Sequence, residues 1–276
     1  MIKTKISLSK YNRFQTGGDA EYFFAPESVH ELSDFLRNNK IRPITVIGMG
    51  SNVLVSDSGI SGLVIHTGKL NDVNINGTEI ICGAGTAMPK IASLASKHKI
   101  AGFEFMIGIP GTVGGGLITN AGCFGGQISD CLVSILGVDF SGNIIELSVK
   151  DCGLSYRTSN LPDDFIITEL RFRGCATDAD LNEKMSNILA KKTASQPADA
   201  RTAGSTFKNP HGVPAWKIIK EKFPGGLSIG GARISEKHAN FIIADKECTS
   251  TDIKNLISEI QKQTGLELEI KILGNW

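Results

Sequence analysis

Nineteen residues near the middle of the chain, GIPGTVGGGLITNAGCFGG from Gly108 to Gly126, hold eight glycines and no charged side chain. Glycine reaches φ > 0 and lets another group come against the backbone. Such a stretch has two readings. Main-chain N–H groups can form a concavity for an anionic ligand without Lys or Arg. Alternatively, the run is a tight buried turn where strands and a helix crowd together.

The rest of the composition narrows the setting. Of 276 residues, 41% are hydrophobic, and the formal charge is +1. A balance this even gives no electrostatic reason to expect nucleic acid or an anionic membrane as partner. The start, MIKTKISLSKYNRF, lacks the apolar core of a signal peptide. No apolar run approaches the roughly 20 residues of a membrane-spanning helix. These features point to a cytoplasmic protein. The six cysteines (82, 123, 131, 152, 175 and 248) form no CxxC pair, and none lies near a His at metal-ligand spacing. They read as small buried apolar residues, and no metal site is expected.

Along the chain, Tyr22–Ala25 reads as a short strand stopped by Pro26, and Ser28 caps a helix over 29–39 with Leu32, Phe35 and Leu36 on one face. ITVIGMGSNVLV (44–55) reads as strand, glycine turn, strand, and 63–66 as a further strand. Glu79 begins another strand, and Pro89 opens a helix over 89–98. Segments 132–140 and 143–149 flank Ser141-Gly142 as a hairpin, and 165–173 is a strand. Past Gly174 the composition shifts, placing a domain boundary near 175–185. Helices follow over 178–194, 214–222 and 251–263, with strands over 239–244 and 266–273.

Two G-x-G fragments are weak matches to a dinucleotide fingerprint. Gly83-Ala84-Gly85 has Met88 where the third glycine belongs, and Gly48-Met49-Gly50 leads into a strand instead of a helix. No Walker lysine motif is present. Gly48-Met49-Gly50-Ser51-Asn52 reads better as a phosphate loop whose donors are backbone, hydroxyl and amide. With 108–126 it makes two uncharged donor loops, suited to a pyrophosphate held between a pair of subdomains. Ser155–Ser159 is a polar cluster around one cation, Arg157. Ala203–Pro210, AGSTFKNP, packs two hydroxyls, Lys208 and Asn209 into a short turn. Ser205 has no His-Asp pair nearby in sequence and so lacks the base of a nucleophile. It can instead donate a proton if Lys208 or a carboxylate tunes it. The plainer alternative is a turn whose Ser or Asn bonds the local backbone. Glu269, alternating with Leu268 and Ile270, reads by itself as a solvated strand residue, and His238 carries no signal alone.

Taken in order, NRFQTGGDAEYFF, GMGSNVLV, GIPGTVGGGLITNAGCFGGQISD, SYRTSNL, AGSTFKNP, IGGARISEKHANFII and LELEIKILG resemble the UDP-N-acetylenolpyruvoylglucosamine reductase family over nearly the whole chain. The resemblance implies an α+β protein. Residues 1–178 are then an FAD-binding domain of the vanillyl-alcohol-oxidase (PCMH) type, with subdomains of about 1–70 and 71–178, and 179–276 a C-terminal α/β substrate-binding domain. It implies FAD and NADPH as cofactors, UDP-N-acetylglucosamine enolpyruvate as substrate, UDP-N-acetylmuramate as product, and a monomer. By resemblance Ser205 is the proton donor, and Arg157 and Glu269 polarise the substrate carboxylate. Gly48, Met49, Gly50, Ser51, Asn52, Val53, Gly108, Pro110, Gly111, Thr112, Gly114, Gly115, Asn120, Ala121 and Gly122 then hold the cofactor, and Lys208, Asn209, His238 and Asn240 the substrate.

The short spacing from Arg157 to Ser205 implies the family's second branch, without a tyrosine-bearing loop over the substrate. Cys123, Phe124 and Leu268 depart from the family pattern, and the segment before Asn12 is short for it, as expected of a trimmed start or of missing substrate-domain packing. Two other readings remain at this stage. An oxidase on the same flavin fold often attaches FAD through His, which neither glycine loop contains. A binding module without catalysis would lack Ser205, Arg157 or Glu269.

Overall fold

The computed structural model describes residues 1–197 and 199–276, and for His211 the backbone only. The chain divides into two units: Met1–Phe23, Gly50–Val64 and Lys192–Trp276 form the first, and Phe24–Met49 with Ile65–Lys191 the second. The chain passes from the second unit to the first inside the Gly48–Asn52 loop.

In the second unit, Phe165–Arg173 alternates so that Ile166, Thr168, Leu170 and Phe172 are buried while Arg171 and Arg173 face water. That period of two makes it the central strand of a five-stranded sheet. The strand order is Ile144–Ser148, Leu132–Asp139, Phe165–Arg173, Glu79–Gly83, Val73–Asn76, and every neighbour is antiparallel. Helix α1 (Val29–Asn38) begins where Ser28 accepts from Glu31 N and buries Leu32 and Leu36. Helix α2 (Met88–Lys97) begins with Pro89 in its first turn and buries Met88, Ile91, Ala92 and Ala95. The α2 side chains meet Ile80, Ile135, Leu170 and Phe172 in one core, where Phe103 stands edge-on to Phe172 at 6.0 Å.

The glycine run contains a short helix, α3 (Val113–Ile118). Three successive glycines oppose helix formation by about 1 kcal/mol each relative to Ala, so tertiary packing decides here. A Cβ on Gly114 would stand 2.8 Å from Ala84 Cβ, and one on Gly116 2.8 Å from Ile128 Cδ1. Only bare backbone approaches this closely. For this part of the run, the tight-turn reading describes the structure.

The first unit pairs Lys3–Ser7 with Asp19–Phe24, antiparallel, and Val53–Val55 with Lys271–Leu273, parallel. Ser228–Ile229, Ala232–Ile234 and Ile242–Ala244 form an antiparallel three-stranded sheet. Helix α4 (Leu181–Ser195) joins the units along the chain. Helices α5 (Ala215–Lys222) and α6 (Ser250–Thr264) complete the first unit, whose core holds Phe14, Leu54, Phe207, Ile219, Ile253, Leu256 and Ile257. A capping box, Thr249 with Asp252, starts α6 and left-handed Gly265 ends it.

Several boundaries depart from the sequence reading. The strand expected over 266–273 is regular only from Lys271 to Leu273. The N–H groups of Glu269 and Ile270 both reach Thr206 O, at 2.9 and 3.4 Å, the two-against-one count of a β-bulge. The strand expected over 239–244 is regular only over Ile242–Ala244. Cys82, Cys131, Cys152 and Cys248 are buried as expected, whereas Cys175 is exposed and Cys123 half-buried. Burial pushes the Cys82 thiol up to about 12. Among the described residues no helix is long and apolar enough to cross a membrane, and no group of three or more His, Cys, Asp or Glu could hold a metal ion.

Candidate active site

In the second unit, the candidate residues gather around the glycine run. Thr112 precedes α3 in an extended conformation, and its Oγ1 accepts from Gly115 N at 3.3 Å. Val113 N donates to Thr86 O (2.9 Å), Gly114 N to Ala84 O (2.9 Å) and Gly116 N to Thr112 O (2.8 Å). The first-turn donors of α3 are therefore satisfied within the chain, and for these four groups the tight-turn reading describes the structure. One step earlier the situation reverses. Gly111, at φ +121, and Thr112 are buried, and neither N–H has an acceptor among the described residues. A backbone donor left without a partner in its own chain is free for water or a ligand. Gly115 lies exposed on the same helix.

Gly48 comes against this point. A Cβ there would stand 2.5 Å from Thr112 Oγ1. Beside it is His66, a residue to which the sequence reading assigned no role. Burial lowers the His66 pKa and outweighs the opposite pull of its hydrogen bond to the Gly48 backbone, so its neutral form is favoured. Around the run the surface is apolar: Met49, Ile118, Phe124 and Tyr156 are large hydrophobics left exposed.

The SYRTS cluster is a tight turn, Ser155 and Thr158 exchanging backbone hydrogen bonds at 3.1 and 3.3 Å. Arg157 sits at φ +54, in the left-handed region uncommon for a side-chain-bearing residue. Three bonds hold this turn to the glycine run. Buried Asn120 donates to Ser155 O (3.3 Å), Arg157 Nη2 to Gly122 O (3.2 Å) and Ser159 Oγ to Ile118 O (3.0 Å). The Arg157 guanidinium also stands over the Tyr156 ring, 5.1 Å from its centroid. Asn120 further donates to Gln127 Oε1 and Ser129 Oγ, and accepts from Ser129 N. Its side chain is an internal tie.

In the first unit, Ser205–Phe207 runs extended. Ser205 bridges Phe241 on one flank, and Phe207 bridges Leu268 on the other. Glu269 N donates to Thr206 O at 2.9 Å, which brings Glu269 beside the Ser205 segment although 64 residues separate them in the chain. Both residues are half-buried. Asn52, from the glycine loop, donates from Nδ2 to Glu269 O (3.2 Å) and accepts from Lys271 N (3.0 Å). Lys208 Nζ lies 3.4 Å from Glu267 Oε2. Asn209 Oδ1 accepts from Ala215 N at 2.8 Å and so serves the first turn of α5.

His238 stacks near Trp216 and Phe241, at centroid distances of 6.2 and 4.8 Å. Its Nδ1 is buried without a side-chain partner, and burial lowers its pKa. Asn240 is 3% exposed, and both ends of its carboxamide bond the Phe207 backbone. It faces inward, unlike a residue presented to a ligand.

Comparison with known proteins places these features. The family model for the C-terminal domain of UDP-N-acetylenolpyruvoylglucosamine reductase matches residues 196–273, and that for an FAD binding domain matches residues 20–148. The UDP-N-acetylenolpyruvoylglucosamine reductase of Rickettsia typhi is 38% identical over 283 residues, covering 99% of this chain and 96% of its own. That of Azorhizobium caulinodans is 40% identical over 270 residues, covering 95% and 88%. The crystal structure of UDP-N-acetylenolpyruvylglucosamine reductase from Thermus caldophilus superposes with a TM-score of 0.89 at 30% identity, over 99% of each chain. With its FAD binding domain ahead of that C-terminal domain, and likeness sustained over nearly its full length, the chain belongs to the UDP-N-acetylenolpyruvoylglucosamine reductase family.

Proposed function

We propose that the protein reduces UDP-N-acetylglucosamine enolpyruvate to UDP-N-acetylmuramate, with NADPH as reductant and FAD as cofactor, as a cytoplasmic monomer serving peptidoglycan precursor synthesis. The proposal assigns 1–178 to cofactor binding and 179–276 to the substrate. The observation that carries it is that Gly111 and Thr112, buried residues in an uncharged glycine loop with exposed apolar neighbours, have N–H groups that meet no acceptor among the described residues. A dinucleotide with an apolar ring system and an anionic diphosphate fits that donor set. The loops 48–53 and 108–122 are the proposed holders of FAD. Bound there, FAD supplies a hydride acceptor for NADPH and a hydride donor for the substrate.

The chain's own residues handle charge and proton. Hydride arriving at C3 of the enolpyruvyl group builds negative charge at C2 and on the conjugated carboxylate. Arg157, a cation fixed in its turn by Gly122 O, offsets that charge. Glu269 polarises the same group, and Ser205 delivers a proton to C2. Among the described residues the Ser205 hydroxyl bonds no other side chain, so its proton is not committed elsewhere. Lys208 and His238 contact the substrate. Asn209 and Asn240 shape the loops that do so.

An anaerobic stopped-flow experiment tests this. Protein reduced with NADPH is mixed with UDP-N-acetylglucosamine enolpyruvate. Rapid return of the oxidised flavin band without oxygen is the expected result. Reduced protein that ignores this substrate and reacts with oxygen would instead be an oxidase, and protein that binds no FAD would end the proposal.

A further inference from the structure

The tripeptide that carries Ser205 is too short to hold itself. Its strand pairings are single bridges, one on each flank, and an isolated two-strand contact is marginal in water. On one flank the hydrogen bonds that a longer strand would supply come from one residue, Asn240. Asn240 Oδ1 accepts from Phe207 N at 2.9 Å, and Asn240 Nδ2 donates to Phe207 O at 2.8 Å. The backbone carbonyl of Asn240 accepts from Thr206 N at 2.8 Å. One residue thus answers three backbone groups of two successive residues, Thr206 N, Phe207 N and Phe207 O. A carboxamide has the donor and acceptor of a peptide unit, so the Asn240 side chain takes the place of a neighbouring strand at the point where the regular strand Ile242–Ala244 has not yet begun. On the opposite flank, Thr206 O receives Glu269 N at 2.9 Å.

We infer that Asn240 is a positioning residue: by pairing with both backbone groups of Phe207, its carboxamide sets where the Ser205 hydroxyl stands. This rests on the reading of Ser205 as proton donor. A proton donor must come within about 2.6–3.2 Å of its acceptor, and a misplacement of about 1 Å can cost on the order of 10²-fold. Asn240 is buried and its polar ends are spent on the chain, so it acts through Ser205 and touches no ligand.

The discriminating variant is Asn240→Asp, which keeps the shape. Ionised, the introduced carboxylate faces Phe207 O with no proton to offer. Protonated, it restores both bonds, since one oxygen donates and the other accepts. At pH 8 the return of the oxidised flavin band on mixing with the enolpyruvyl substrate should slow by about 10–100-fold. Reduction by NADPH should stay at the wild-type rate, and the KM for the enolpyruvyl substrate within about threefold. As the pH is lowered the variant should regain rate relative to wild type, because burial raises a carboxyl pKa. Placed in a Ser205→Ala background, Asn240→Asp should cost less than about twofold, as expected of two residues acting through one group.

A wild-type rate at pH 8 overturns the inference, as does an equal loss in the Ser205→Ala background. Should Asn240→Asp fail to bind FAD, Asn240→Ser, whose hydroxyl sits one bond short of the positions from which the carboxamide oxygen and nitrogen reach Phe207, is judged by the same rate, KM and double-variant criteria. The reductase reading fails separately, if wild-type protein itself leaves the substrate unreduced.

Discussion

Two neighbouring glycines should respond oppositely to the same added methyl group. Gly114 is buried, and a Cβ on it would lie 2.8 Å from Ala84 Cβ and 3.0 Å from Ala84 O. Ordinary contact begins near 3.4 Å, so Gly114→Ala requires a displacement of about 0.6 Å. That shift acts directly on the bond from Gly114 N to Ala84 O. Overpacking costs about 1–3 kcal/mol and a strained buried hydrogen bond about 1 more, while the better helix propensity of Ala returns about 1. The net loss is about 1–3 kcal/mol. Gly115 is exposed, and a Cβ there would meet only Thr112 Oγ1, at 3.4 Å. Gly115→Ala should therefore raise the stability of FAD-free protein by about 0.5–1 kcal/mol.

FAD affinity separates the two a second time. If the exposed face of α3 lies against the cofactor, Gly115→Ala weakens FAD binding by at least about tenfold, or roughly 1.4 kcal/mol, with no loss of apoprotein stability. Chemical denaturation of apoprotein and FAD titration by flavin fluorescence measure the two quantities. Equal destabilisation by both substitutions, or an unchanged Gly114→Ala protein, would refute the division of the run into packing and contact glycines.

Other predictions follow from single residues. Ser205→Ala should leave flavin reduction by NADPH intact and slow reoxidation by the enolpyruvyl substrate about 10²–10⁴-fold; equal losses in both half-reactions in stopped flow would remove Ser205 as donor. Thr86 Oγ1 is buried with no partner, so Thr86→Val, which keeps the shape, should raise denaturation stability by about 1 kcal/mol. Burial works upward on the Asp57 pKa, but hydrogen bonds from the Ser250 and Thr251 backbone and hydroxyls together outweigh it and hold the pKa below the usual value. The stabilisation is therefore present above the unfolded-state value of about 4 and lost as pH falls through the lower folded-state value. Melting curves of Asp57→Asn should accordingly converge on wild type in acid and fall below it at neutral pH.

Much of the fold was legible where a local signal and the tertiary packing agree. Ser28 and Pro89 mark the starts of α1 and α2, and alternation gives Phe165–Arg173. Helix α3 was not legible, because glycine carries no helical preference and the element exists by close approach to Ala84. The strand Val73–Asn76 had a signal in Asn76-Gly77 leading into Glu79, a hairpin pattern left unread. Lys3–Ser7 alternates without an apolar face, so nothing marked it. For the site, motif order supplied Arg157, Ser205 and Glu269, but not what holds them. The contacts of Asn240 with Phe207, Asn52 with Glu269 and Asn120 with Ser155 span 33, 217 and 35 residues, and no window along the chain displays them.

The first turn of α3 has its four amides answered by Thr86, Ala84 and Thr112, and this bears on how the protein is loaded. A cradle completed by its own chain pays little ordering entropy when a ligand arrives. Stripping FAD should therefore leave the segment folded, its amides exchanging with deuterium as slowly as in loaded protein, and the emptied protein should accept fresh cofactor without passing through a melted state. In a growing cell, newly made chains would then be ready for FAD as soon as folding ends, and loading would be paced by cofactor supply instead of by a late conformational step.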